Sequence, residues 1–89
     1  SLGGAEPNPF NPRTSITYEV PHDGRARLRV FDLRGQLVTT LIDEVVEAGS
    51  HSVAWTGRDG GGREVPSGVY LYRLEAGQDV VHGRMMLVR

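Results

Sequence analysis

Ser67, His51 and Asp59 supply the residue types of a hydrolytic triad. In that chemistry a base within hydrogen-bond reach takes the hydroxyl proton, and a third group orients the base. Ser67-Gly68 is not set in the G-x-S-x-G turn that exposes a nucleophile. A serine beside glycine ahead of a strand is ordinary turn composition, so no catalytic residue is expected. Arg58-Asp59-Gly60-Gly61-Gly62-Arg63 has the glycine content of a phosphate cradle. It lacks the Gly-Lys-Ser/Thr ending and the following helix that anion binding uses, and it reads as a loop needing positive φ. Asp59 has too few acidic neighbours for a strong calcium site, and Asp43, Glu44 and Glu47 read as a solvated connection. His22, His51 and His82 share none of the short spacings of a metal-binding pair. No metal and no cofactor is expected.

Arg25, Arg27 and Arg29 alternate with apolar residues, which puts three cations on one strand face. They cannot all be buried unpaired. The plainer account is solvent exposure, with Glu19 or Glu75 as cross-strand partners and protection of the sheet from edge pairing. The sharper account is a docking surface for an acidic partner. Trp55, Tyr70 and Tyr72 would form a sugar-stacking platform if exposed, the basis of a carbohydrate-binding alternative. They lie within apolar strand patterns, so they are read as core, with Trp55 at its centre and its indole nitrogen seeking a backbone acceptor.

The elements that must hold these residues are short strands. Ile16, Tyr18 and Val20 alternate with Thr17 and Glu19, and Asp23-Gly24 then turns the chain. Ala26, Leu28 and Val30 mark the arginine strand, which Phe31 extends and Asp32-Leu33-Arg34-Gly35 ends. Gln36 to Ile42, the strand of His51, Val53 and Trp55, Val69 to Glu75, and Val80 to Val88 complete the pattern. No window has helical spacing. The expectation is an all-β, antiparallel Ig-like or fibronectin III-like β-sandwich of about seven strands. Residues 1–12 are read as linker and extended proline-rich lead-in, with Phe10 as an anchor, and residues 13–89 as the sandwich.

Eighty-nine residues leave room for one domain. There is no cysteine, hence no disulfide and no thiolate metal site. A formal net charge of −1 gives the whole chain no attraction to nucleic acid or to an anionic membrane. No segment is long and apolar enough for a membrane helix, and any membrane association is expected to be indirect. No signal peptide opens the chain, which is expected to be a monomeric module of a parent that carries its export signal elsewhere.

Several motifs together resemble a known group. They are Asn8-Pro9-Phe10-Asn11-Pro12, the Asp32 to Gly35 turn, the Trp55 strand and Ser67-Gly68-Val69-Tyr70. The combination is similar to the Ig-like C-terminal sorting domains of the type IX secretion system, and to the Ig-like domain of the flagellar hook-capping protein. Arg84-Met85-Met86-Leu87-Val88-Arg89 looks like the apolar, basic ending of such sorting domains. The resemblance implies a non-catalytic module that directs secretion and cell-surface attachment of a larger bacterial protein, often a hydrolase. Its partners would be outer-membrane secretion and attachment proteins and the parent's upstream domains. Its location would be the outer surface or the medium, reached through the periplasm. Recognition would use the terminal strand and its edge, with backbone pairing supplying affinity. A hook-cap-like assembly domain is the alternative that the same resemblance carries.

Overall fold

The computed structural model describes residues 2–7, 9 and 12–89. They form seven strands and no helix: β1 Leu2–Glu6, β2 Thr14–Val20, β3 Gly24–Phe31, β4 Leu37–Val46, β5 Gly49–Trp55, β6 Gly68–Ala76 and β7 Asp79–Leu87. Two antiparallel sheets result, one ordered β1-β2-β5 and the other β4-β3-β6-β7. In the constant-type immunoglobulin layout the fourth strand pairs with the fifth; here it pairs with the third.

Period-two alternation decides which side chains meet between the sheets. Thr14, Ile16, Tyr18 and Val20 of β2 face inward, as do Ala26, Leu28 and Val30 of β3. Tyr70, Tyr72 and Leu74 of β6 and Met85 and Leu87 of β7, in the same sheet as β3, complete the side of the core that faces β2. Thr14 is the one buried polar residue among those described, and its hydroxyl donates to Pro7 O at 2.9 Å. Gly83 of β7 lies directly under the Tyr72 ring, where a Cβ would overlap the phenol.

Two boundaries differ from expectation. Leu2–Glu6, read as linker, is edge strand β1, with Leu2 opposite Tyr18, Glu6 opposite Ser15, and Ala5 buried. Main-chain pairing holds it, and Gly3-Gly4 leaves no side-chain alternation to read. Gly3 lies against the Thr17 side chain, which leaves no space for a Cβ. Strand β4 runs on to Val46 and takes in Asp43 and Glu44, which were read as a connection. Its polar end is a strand because Asp43 stands opposite Arg27 and Val45 opposite Arg25. Phe10 lies outside the described residues.

Candidate functional site

The residue types of a triad do not converge. Ser67 Oγ accepts from Arg89 N at 3.0 Å, and His51 Nε2 meets Glu47 O at 2.6 Å. Asp59 Oδ1 accepts from Gly61 N and Arg63 N. Each is engaged by a different neighbour. Among the described residues no group of His, Cys, Asp and Glu side chains could hold a metal ion.

Asp59 closes its own turn rather than presenting a ligand. Its N–H donates to Arg63 O, and Gly62 N donates to Asp59 O. The Asp32 turn repeats this pattern bond for bond: Asp32 N to Gln36 O, Gly35 N to Asp32 O, and Arg34 N and Gln36 N to Asp32 Oδ1. Gly35 and Gly62 both have φ of 84°, a conformation that costs other residues about 1–2 kcal/mol. The glycine-rich loop is therefore a second Asp-x-x-Gly turn. Its sequence signal was present but was obscured by the additional glycines.

The aromatic residues are core, which removes the sugar-stacking platform. Trp55, Tyr70 and Tyr72 are 2%, 5% and 2% exposed. Trp55 meets Tyr70 edge to face at 5.2 Å between centroids, and its Nε1 donates to Arg58 O at 2.9 Å. Tyr70 OH donates to Pro66 O at 2.6 Å, a tyrosine-corner bond. Tyr18 stacks on His51 at 5.4 Å. Burial pushes the Tyr18, Tyr70 and Tyr72 phenols above their usual range.

Within Arg84 to Arg89, Met85 and Leu87 are buried, while Arg84, Met86 and Val88 are exposed. Arg89 is tied down at several points. Its Nε donates to Val65 O at 2.6 Å, its Nη1 to Glu64 Oε2 at 2.7 Å, and its Nη2 to Gly57 O. The segment is thus in the first place a structural strand, with alternate residues left outward.

The polar chemistry is gathered on the outer face of the four-stranded sheet. Arg25 pairs with Asp43 at 2.7 Å, largely in solvent. Arg27 makes a two-pronged bond to Glu75, Nε to Oε1 and Nη2 to Oε2, both at 3.1 Å. Arg29 Nη2 reaches the same Oε1 at 2.5 Å, and Arg73 Nε stands 3.7 Å away. The bond from Arg27 holds the Glu75 carboxyl below its usual range, partly opposed by burial, and raises Arg27 in turn. Arg29 and Arg73 also lie over the Phe31 ring, at 5.3 and 4.8 Å from its centroid. Cross-strand partnering with Glu75 was anticipated. Arg73 and Phe31 were not, although Leu71, Arg73 and Glu75 alternate outward along β6 and could have been found by that period.

The family model of the FlgD Ig-like domain matches residues 11–79. No curated protein sequence matches the chain. PorZ of Porphyromonas gingivalis, described as an essential bacterial surface component of the type-IX secretion system, is 22% identical with a TM-score of 0.67. That likeness covers 96% of this chain and 11% of PorZ. FlgD of P. aeruginosa is 22% identical with a TM-score of 0.61, over 83% of this chain and 58% of that one. FlgD of Xanthomonas campestris, described in terms of hook capping essential for flagellar assembly, is 18% identical with a TM-score of 0.61, over 93% and 59%. At these identities the likeness is one of fold, and this chain spans only part of each relative. The family match stops at Asp79, ahead of most of β7, which nevertheless completes the core.

Proposed function

Because the chain belongs to the FlgD Ig-like domain family, we propose that it is a non-catalytic assembly module of a larger exported bacterial protein. It acts by protein–protein contact, as a hook-cap-like domain. Family membership over residues 11–79 carries this reading. The absence of a shared contact among Ser67, His51 and Asp59, and the gathering of charge on a sheet face, are consistent with a docking role. A parent that is exported would place the module outside the cytoplasm.

A second reading is sorting and cell-surface attachment through outer-membrane secretion proteins. One observation favours it: Arg84 and Met86 face outward on β7, an edge strand of its sheet, and Val88 is exposed just beyond it, where a receptor could read them. Because Leu87 is fully buried, an aspartate there would unfold the domain and say nothing about a receptor. Substitutions at Arg84 and Met86 are the fair test.

Deleting the module from its parent in the source bacterium separates the readings. Malformed hooks with normal export of the parent support hook-cap assembly. Loss of protease-accessible parent at the cell surface, with intact hooks, supports sorting. Normal hooks and normal surface display would overturn both.

A further inference from the structure

On the outer face of the four-stranded sheet, Glu75 is asked to neutralise more charge than it carries. Its Oε1 faces Arg27, Arg29 and Arg73 at once, and its Oε2 is taken by Arg27. Arg25 has its own partner in Asp43. The register also places Arg84 outward, opposite Leu71. Around Glu75 the face holds Arg25, Arg27, Arg29 and Arg73 against Asp43 and Glu75. The Nε atoms of Arg29 and Arg73 are buried without an acceptor. The Phe31 ring gives both guanidiniums a second contact besides the shared carboxylate. Exposed Leu71, Met86 and Val80, at 36%, 45% and 50%, flank this cluster.

We infer that this face, centred on Arg29, Phe31 and Arg73, docks an acidic segment of a protein partner, whose carboxylates supply the anions that Glu75 cannot. Two observations favour a discrete acidic peptide over a long polyanion. The whole chain carries a net charge of −1, so the positive field is confined to one face. The rim beside the arginines is apolar and suits the side chains that alternate with acids in an extended segment. Planar guanidiniums suit carboxylates because they bond them two-pronged. The inference rests on the domain being a protein-contact module and names the chemistry of the partner.

The test titrates the 89-residue chain with a capped peptide of alternating glutamate and valine, at low salt, by calorimetry. Saturable binding is expected, weakened about tenfold or more by Arg73→Gln and by a glutamine-for-glutamate peptide. Raising the salt should weaken it further. Arg73→Gln and wild type should share one circular dichroism spectrum, and Arg25→Gln should bind within about twofold of wild type. No binding at millimolar peptide would overturn the inference, as would equal binding by Arg73→Gln. So would tighter binding of a sulfated oligosaccharide, or self-association of the chain without peptide. The deletion experiment can succeed while this titration fails; then the acidic segment falls and the assembly role stands.

Discussion

The outer face of the three-stranded sheet carries Ser15, Thr17, Glu19, Ser50 and Ser52, whereas that of the four-stranded sheet carries Arg25, Arg27, Arg29, Phe31, Arg73 and Glu75. Both are built on the same alternation around one core. On the first, Ser50 Oγ makes a long contact to Glu19 at 3.4 Å. On the second, several guanidiniums converge on one carboxylate. Hydroxyl side chains are satisfied by water and keep a sheet face soluble at little enthalpic cost. Converging arginines repel one another and are costly to hold together unless anions offset them. The contrast is the ground on which the arginine face is proposed as the docking face.

Substitutions can break or sharpen that contrast. The largest effect should come from the shared core: Trp55→Ala is expected to cost about 3–5 kcal/mol in chemical denaturation. A near-wild-type, cooperative melt would show that the two faces do not share one core. Next comes Glu75→Gln, which leaves Arg27, Arg29 and Arg73 without their anion. It should lower Tm clearly, with partial recovery in high salt. Ser52→Ala, on the outer face of the other sheet, should stay within about 0.5 kcal/mol of wild type. Equal shifts for the two would abolish the distinction.

Acid and alkali should act on different parts. Glu75 is harder to protonate folded than unfolded, so its contribution is full above the ordinary carboxyl value of 4.5 and is lost as pH falls through its lower folded value. Tyr18, Tyr70 and Tyr72 are harder to ionise folded than unfolded. Their contribution is full below the ordinary phenol value of 10.0 and is lost as pH rises through the higher folded values. In melts across pH, Glu75→Gln should flatten the acid limb and leave the alkaline limb unchanged. A wild-type acid limb in that variant would deny the carboxylate its role.

Smaller effects belong to the matched turns, one between β3 and β4 and the other after β5. Asp32→Ala and Asp59→Ala each remove two bonds to backbone N–H groups and should cost about 1–2 kcal/mol. The Asp59 loop also bonds β4 through Gly60 N to Val38 O, so its loss should be the greater of the two by urea denaturation. The reverse order would mean that the second turn stands alone.

Period two made most of the sandwich legible in advance. β2, β3, β6 and β7 alternate strictly, and the inward residues expected of β2 and β3, with Tyr70 and Tyr72 of β6, are buried. Strand β1 was invisible because backbone bonds, which leave no mark on residue type, hold its glycines. The polar end of β4 was misread because a charged strand is stable only beside its partner, and pairing with Arg25 appears only after folding. The arginine row was legible. Its convergence on Glu75, and the part played by Phe31 and Arg73, depend on β3 lying beside β6, which sequence spacing alone does not determine.

Trp55 is the only tryptophan in the chain, and it sits at the core with its indole proton on the carbonyl of Arg58. The domain thus contains one ultraviolet emitter wired to the loop that follows β5. Tyr70, in ring contact with it, serves as an energy donor. Excitation at the tyrosine band followed by indole emission reports that the rings are held together in one core. Unfolding in water should shift that emission to longer wavelength and dim the transfer.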